Sequence, residues 1–186
     1  LSHCVAVGDP LSEDVVRAMM LLRANALSKG FSGIRRELIQ CLIDMLNAGV
    51  HPVIPQQGSL GASGDLAPLA HMALVLLGRG EAFYKGKRMP GAQAMEQAGL
   101  PTYHLLAKEG LALINGTQCM TAIGALAWHD LNEGALLADV TASMTMEALH
   151  GLTNAFEPRL HTVRPHQGQM RTAANLLRLL AGSPTM

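Results

Sequence analysis

The sequence predicts a mainly α-helical protein, and three observations support that fold class. Two amphipathic segments near the start carry helix-capping residues, and a long run rich in alanine and leucine follows Thr117. Aromatic residues make up only 3% of the chain, which leaves leucine, alanine, valine and eleven methionines to fill the interior. This composition favours closely packed helices, and we expect residues 1–186 to form a single partial domain.

Two amphipathic helices are predicted at the start of the chain. The first covers residues 12–30, with Ser12 as its cap and Gly30 at its end. The second is capped by Ser32 and closed by Gly49. Apolar residues recur at three- and four-residue steps, namely Val15, Met19, Leu22 and Ala26 in the first and Ile34, Leu38, Leu42 and Met45 in the second. Each apolar face needs cover, so we expect the two helices to pack together.

A loop, a helix and a hairpin follow these two helices. Residues 51–64 are predicted to be a loop, because they contain two prolines and a series of glycines spaced by three. Asp65 leads the next helix, in which Pro68 is tolerated only within the first turn. Residues 81–91 resemble a short hairpin that turns near Gly86. A loop of small residues is therefore expected at a helix N-terminus.

The second half of the chain is predicted to be helical apart from one segment. A short helix ends at Gly99, and a long one runs from Thr117 to about Leu149 with Gly134 as a candidate interruption. Residues 158–169 are polar and are expected to be irregular, whereas residues 170–180 read as a final helix.

Composition and charge exclude several classes of partner. Fourteen basic residues balance fourteen acidic ones, so no basic field favours nucleic acid. No stretch approaches the roughly 20 apolar residues of a membrane span, and no secretory signal opens the chain. We therefore expect a cytoplasmic protein that binds neither nucleic acid nor a membrane. The three cysteines are far apart, and the histidines lack metal-like companions, so free thiols and no metal are expected.

The loop that begins at Gly58 matches neither of two common catalytic loops. GSLGASGDLAP lacks the Gly-Lys-Ser/Thr ending of a phosphate loop. A nucleophile elbow needs glycine on both sides of its serine, but Ser63 has Gly61 at minus two and Asp65 at plus two. The residues alone are also compatible with an ordinary tight turn, in which Ser63 or Asp65 caps the following helix.

The longer segment GSLGASGDLAPLAHMALVLLG closely resembles the signature of the histidine and phenylalanine ammonia-lyase family. The segments LSH, NALSKGFSGIRRELI and KEGLALINGTQ also resemble this family, in the same order, and the similarity extends to about Gly168. The resemblance implies the helical-bundle fold of the ammonia-lyases, which is like that of fumarase and aspartase. It also implies a homotetramer whose active sites draw on more than one subunit.

The resemblance further implies that Ala62, Ser63 and Gly64 form a cofactor without external help. In the family, this triplet cyclises to 4-methylidene-imidazol-5-one (MIO). The nitrogen of Gly64 attacks the carbonyl carbon of Ala62, and one water leaves the ring while a second leaves the Ser63 side chain. Glycine permits the required bend, and serine can dehydrate. The resemblance suggests that Asp65 assists the proton transfers, and no metal or dissociable cofactor is expected.

Two further positions match residues of the family's active site. Ser2 and His3 form the pair found in members that act on histidine, where an imidazole can exchange a hydrogen bond with the substrate ring. Asn115 matches an asparagine whose amide can bind the MIO carbonyl region or the substrate amine. Gln118 is a weaker candidate. Taken without the resemblance, His3 reads as a terminal histidine and Asn115 as a turn residue before Gly116.

The expected reaction is non-oxidative elimination of ammonia from L-histidine, giving trans-urocanate at the start of histidine degradation. By the resemblance, the catalytic base and the cation for the substrate carboxylate come from segments outside these residues, so we expect a fragment that is inactive alone. The alternatives are a tyrosine or phenylalanine ammonia-lyase, an aromatic aminomutase with the same MIO, a hydrolase that uses Ser63, and a non-catalytic fragment.

Overall fold

The chain divides into two compact units, Leu1–Leu126 and Ala127–Met186. The computed structural model describes residues 3–184, so Ser2 of the predicted Ser2-His3 pair lies outside the described residues. Helices are the main secondary structure in both units, and the predicted mainly α-helical fold is confirmed. That residues 1–186 form one partial domain stays a prediction.

Helices α1 (Glu13–Ser28) and α2 (Arg36–Ala48) pack together, as expected from their apolar faces. The predicted face of α1 is confirmed in part, because Met19 is fully buried and Val15 and Leu22 pack half-buried against the core, but the most buried side lies one residue further along. The buried side consists of Val16, Met19, Met20, Arg23, Ala24 and Leu27. The apolar pattern of the sequence does not reveal this buried side, because Arg23 lies in the middle of it and arginine is seldom buried without partners.

Helix α2 begins later than predicted and is not capped by Ser32. Its N-cap is Arg35, which has an extended backbone, and Gly33 before it adopts a φ of +55°. The backbone nitrogen of Arg35 donates to the Glu109 carboxylate at 3.2 Å, and this hydrogen bond holds the residue before α2 in an extended conformation. Gly49 closes the helix with a φ of +75°, as predicted.

Two small antiparallel sheets flank these helices. Strand β1 (Val7–Pro10) pairs with β3 (Pro55–Gln57). The second sheet has the order β2-β4-β5, formed by His51–Pro52, Glu81–Tyr84 and Lys87–Pro90. The hairpin near Gly86 is confirmed, with positive φ at the two turn residues. The prediction that residues 51–64 are entirely loop is wrong, because prolines are tolerated at the ends of such short strands.

Three shorter helices also lie in the first unit. They are α3 (Ala67–Leu76), α4 (Gly91–Gln97) and α5 (Glu109–Ile114), and α3 packs against both of the others. The core joins α1, α2 and α3, where the fully buried side chains include Met19, Met20, Leu38, Leu42, Met45, Leu69, Met72 and Leu76. Leucine and methionine thus replace aromatic residues in this core.

Helix α6 runs without a break from Gln118 to Ala148, so Gly134 does not interrupt it. A glycine inside a helix costs about 1 kcal/mol relative to alanine, which a helix of this length tolerates. Residues 158–169 are not irregular as predicted, because α7 (Pro158–Thr162) and the start of α8 (Gln167–Leu179) lie there. Pro158 occupies the first turn of α7, where proline favours a helix start. A short 3-10 helix covers Thr153–Phe156.

Among residues 3–184, one stretch is long and apolar enough to cross a membrane by length and composition, Glu109–Ala148, with a hydropathy of 1.2 in its most apolar window. This differs from the expectation from the sequence. The stretch joins α5 to α6 through residues 115–117, which are not helical. Core helices meet the same criterion, so composition alone does not assign this stretch to a bilayer.

Candidate active site

The predicted cofactor triplet lies in an exposed loop between β3 and α3. Gly61 and Gly64 both adopt left-handed backbone conformations, with φ of +86° and +80°. The Gly64 nitrogen donates to the Gly61 carbonyl at 3.4 Å, which folds the loop back across Ala62 and Ser63. For residues 58–64, the prediction of a loop with demanding backbone geometry is confirmed, since L-residues other than glycine seldom adopt these angles.

The positive φ favours glycine at position 64, and the Ser59 hydroxyl lies close to it. A Cβ atom there would lie 2.9 Å from the Ser59 hydroxyl oxygen. That hydroxyl also accepts a hydrogen bond from the Asp65 backbone nitrogen at 3.1 Å, and the Asp65 carboxylate accepts one from Leu66 at 2.7 Å. Ser59 and Asp65 therefore fix the end of the loop where the predicted ring nitrogen lies.

The loop ends at the N-terminus of α3, as the sequence predicts. Leu66 is the N-cap residue, Pro68 lies in the first turn, and no acidic residue occupies that turn. The helix is almost wholly buried, so its N-terminal amides are fixed by the core. The positive end of the helix dipole then favours negative charge that develops nearby.

The segment that carries His3 lies next to the start of the loop. Strand β1 pairs with β3 in antiparallel fashion, with Val7 opposite Gln57. A Cβ added to Gly58 would lie 2.7 Å from the Cα of Ala6, so the two backbones touch directly. His3 itself is exposed. The pairing thus brings the neighbourhood of His3 and the approach to the triplet together, although they are far apart in sequence.

Asn115 is the C-cap residue of α5, with φ of −92° and ψ of 102°, and its side chain is exposed. It lines a pocket of about 410 Å³ with mixed polar and apolar walls, together with Arg23, Phe31, Ser32, Gly33, Lys108, Leu111 and Ala112. The triplet does not line this pocket. The connection between the two is through their helices, because α5 packs on α3, whose N-terminus carries the triplet.

Two arginine contacts around α5 are absent from the sequence-based prediction. Arg23 donates to the Gln118 side chain at 2.8 Å and to the Ala112 carbonyl, and burial lowers its pKa. Arg35 forms an ion pair with the buried Glu109, and its hydrogen bonds lower the pKa of that carboxyl to about 2. A helical face drawn through Val16, Met19 and Arg23 would have indicated the first contact, but no spacing indicates the second.

Titratable and thiol groups elsewhere in the described chain do not form a second site. Among residues 3–184, no three His, Cys, Asp or Glu side chains are placed to hold a metal ion. Cys4, Cys41 and Cys119 are free thiols, as expected. Burial raises the pKa of Cys41 to about 12, so its thiol stays protonated. His71 in α3 has a buried Nε2 atom without a partner, and burial lowers its pKa.

This mainly α-helical structure, with the small-residue loop at the start of a buried helix, has the fold of solved ammonia-lyases and aminomutases. The family model for aromatic amino acid lyases matches residues 1–186, and the chain belongs to that family. The resemblance inferred from the sequence is confirmed, and the family is the MIO-dependent class of lyase.

Individual relatives agree with this assignment. The chain is 63% identical over 183 residues to a histidine ammonia-lyase of Alkaliphilus oremlandii. The aligned region covers 98% of this chain and 36% of the relative. The structure resembles histidine ammonia-lyase from Trypanosoma cruzi, with a TM-score of 0.89, 44% identity and coverage of 95% of this chain and 35% of that one. It also resembles Pantoea agglomerans phenylalanine aminomutase, with a TM-score of 0.93 and 41% identity. That match covers 99% of this chain and 35% of the aminomutase chain. The chain therefore spans about a third of the length of these relatives.

Proposed function

We propose that the full-length protein is a histidine ammonia-lyase. It would break the Cα–N bond of L-histidine and remove a proton from Cβ, giving trans-urocanate and ammonia as the first step of histidine degradation. The observation that carries this proposal is the high identity to histidine ammonia-lyases across nearly the whole chain, 63% in one case. The Ser2-His3 pair supports the same substrate, because an imidazole can exchange a hydrogen bond with the substrate ring.

We further propose that Ala62, Ser63 and Gly64 cyclise to MIO. The group would supply an electrophile that bonds to the substrate's amine or ring, which amino-acid side chains cannot provide. The residues present fit such a ring, because Gly64 has a φ of +80° and its nitrogen is folded back toward Gly61 across Ala62 and Ser63. The carboxylate of Asp65, next in the chain, is the group we assign to proton transfer during cyclisation.

Asn115 and His3 are proposed to orient the substrate. An amide carries both a donor and an acceptor, so Asn115 can hold the substrate amine or the carbonyl region of the triplet. The His3 imidazole would pair with the substrate imidazole, and its segment is already anchored beside the loop through Ala6 and Gly58. The base for the β-proton and the cation for the substrate carboxylate are assigned to other parts of the full-length protein.

We propose a homotetramer with shared active sites, located in the cytoplasm. Support comes from α6, where large apolar side chains are exposed, including Trp128 at 68%, Leu131 at 73% and Leu137 at 63%. Because the chain spans about a third of its relatives' length, these side chains are available for cover by the rest of the polypeptide as well as by partner subunits. The substrate is a small amino acid, and neither nucleic acid nor a membrane is part of this proposal.

An aromatic aminomutase is the second candidate, because the structure matches a phenylalanine aminomutase with a TM-score of 0.93. Such an enzyme would use the same triplet but return the amine to the neighbouring carbon. Assays of the full-length protein with histidine, phenylalanine and tyrosine separate the two candidates. Turnover of phenylalanine or tyrosine without turnover of histidine would contradict our choice.

Intact-mass measurement of the full-length protein tests the cofactor. We expect a deficit of two water molecules in the peptide that contains residues 62–64, together with formation of urocanate from histidine. Ser63→Ala should abolish both. A wild-type protein without this deficit would exclude the autocatalytic cofactor, and labelling of an unmodified Ser63 by a fluorophosphonate would instead support a hydrolase.

A further inference from the structure

Arg23 is a charged residue within the buried face of α1. It is only 4% exposed and lies one helical turn from the core residues Met19, Met20 and Leu27. Burial of a guanidinium requires hydrogen-bond partners, because an ion without them loses the stabilisation that water provides. Within the described residues, Nη1 and Nη2 of Arg23 donate to the side-chain oxygen of Gln118 and the carbonyl oxygen of Ala112, neither of which is a carboxylate, whereas the buried Nε atom has no partner.

The two hydrogen bonds of Arg23 reach both sides of Asn115. Nη2 donates to the carbonyl oxygen of Ala112, in the last turn of α5. Nη1 donates to the side-chain oxygen of Gln118 at 2.8 Å, at the first residue of α6. The last carbonyls of a helix lack partners within it, so a buried cation at this end of α5 satisfies one of them. One planar guanidinium therefore joins the end of one helix to the start of the next.

The turn between the two helices is shaped to fit this guanidinium. A Cβ atom added to Gly116 would overlap both Nη1 of Arg23 and the side-chain oxygen of Gln118. The backbone of residue 116 thus rests directly on the Arg23–Gln118 hydrogen bond. Asn115, next to it, is exposed and shares its pocket with Arg23.

We propose that Arg23 is a positioning residue that fixes the orientation of the Asn115 amide toward the substrate. This inference rests on the proposed function, in which Asn115 contacts the reacting molecule. Arg23 acts on both sides of Asn115, through its hydrogen bond to the Ala112 carbonyl before it and its hydrogen bond to the Gln118 side chain after it. Lysine cannot replace it fully, because an ammonium on a flexible chain does not hold two acceptors in the fixed fork of a guanidinium.

The test is a double-mutant cycle in the full-length enzyme with Arg23→Met, Arg23→Lys and Asn115→Ala. Misplacement of a catalytic group can cost about 10²-fold, so Arg23→Met should lower kcat by about that factor with a smaller change in KM. Arg23→Lys should recover part of the loss. In the Asn115→Ala background, Arg23→Met should have little further effect, since both changes remove the same interaction. Fully multiplicative losses would overturn the proposal.

Two controls separate positioning from general destabilisation and from failure of the proposed function. Met45→Ala removes a fully buried side chain of α2 and should lower thermal stability while leaving kcat unchanged at assay temperature. Hydrogen exchange of the full-length protein gives a readout that needs no activity. Arg23→Met should speed exchange of the amides of residues 114–118 selectively, and unchanged exchange there would overturn the proposal even if the wild type had no lyase activity.

Discussion

The guanidinium of Arg35 donates from Nε and Nη2 to the two carboxylate oxygens of Glu109, at 2.7 and 2.9 Å. The carboxylate also accepts hydrogen bonds from the backbone nitrogens of Arg35 and Leu106, and Arg35 donates to the carbonyl of His104. Glu109 is the first residue of α5 and is only 2% exposed. A single carboxylate thus joins the approach to α2 with the start of the helix that ends at Asn115.

Replacement of Glu109 by glutamine should lower the stability of the full-length protein in a pH-dependent way. The hydrogen bonds from Arg35 hold the pKa of the carboxyl at about 2, below its ordinary value of 4.5. Its contribution to stability is therefore complete above pH 4.5 and is lost as the pH falls through about 2. Urea denaturation should show a loss of about 2 kcal/mol at pH 7 for Glu109→Gln, which shrinks below pH 4.5.

Glu81→Gln is the matched control for this ion pair. Glu81 pairs with Arg88 on the hairpin, where both side chains are 49% exposed, and exposed pairs contribute little. We expect almost no change in stability. A loss at Glu109→Gln that stays constant between pH 7 and pH 3 would contradict the assignment of the low pKa.

Replacement of Gly64 by alanine should prevent formation of the cofactor. The new methyl group would meet Ser59 in a left-handed backbone conformation, so the nitrogen of residue 64 would be displaced from its position in the loop. Mass spectrometry of the variant should show no loss of two waters. Gly30→Ala is the control, because Gly30 has a similar φ of +82° and open space around it. The control should lose about 1 kcal/mol of stability and keep the mass deficit.

Replacement of Asn115 by alanine should slow the reaction without affecting formation of the cofactor. Loss of one preorganised donor costs about 10² to 10³ in kcat in comparable sites. Steady-state kinetics with histidine measures the effect, and the intact mass should match that of the wild type. Asn47→Ala, at an exposed position in α2, should leave kcat unchanged. An Asn115→Ala enzyme with wild-type kcat would exclude Asn115 from the reaction.

Replacement of His3 by leucine should weaken selection of histidine. Without the His3 ring, a buried substrate imidazole would lack a hydrogen-bond partner, which costs about 10- to 100-fold in kcat/KM. The ratio of kcat/KM for histidine to that for phenylalanine should fall, with the mass deficit intact. His104→Leu removes another exposed histidine and should leave the ratio unchanged. An unaltered ratio in His3→Leu would mean that specificity resides elsewhere.

Local sequence signals predict the elements that depend on local chemistry. Caps and periodicity place α1, Gly49 marks the end of α2, and the Lys85-Gly86 turn marks the hairpin. The start of α2 is not predictable in this way, because it is set by Glu109, which is distant in sequence. The segment after Pro158 is helical despite its polar composition, a case in which propensity and polarity alone give the wrong answer.

In the candidate site too, some residues are predictable from local sequence and others only from the fold. The triplet, Asp65 and Asn115 are found by motif, because a chemical requirement fixes their residue types and order. Arg23 has no motif, since its importance comes from acceptors about ninety residues away that only the folded chain brings to it. A charged residue in an apolar helical series is the signal that such a partner exists.

The pairing of β1 with β3 places the segment of a substrate-selecting residue and the approach to the cofactor triplet on one two-stranded ribbon. Under the proposed roles, a lineage could change its preferred amino acid by substitutions near the free end of β1, while the loop after β3 retained the chemistry. Substrate recognition at the end of β1 and chemical reactivity in the loop after β3 would then evolve separately, although the two strands are paired. That arrangement offers a physical route by which one scaffold could give rise to enzymes for histidine, phenylalanine and tyrosine.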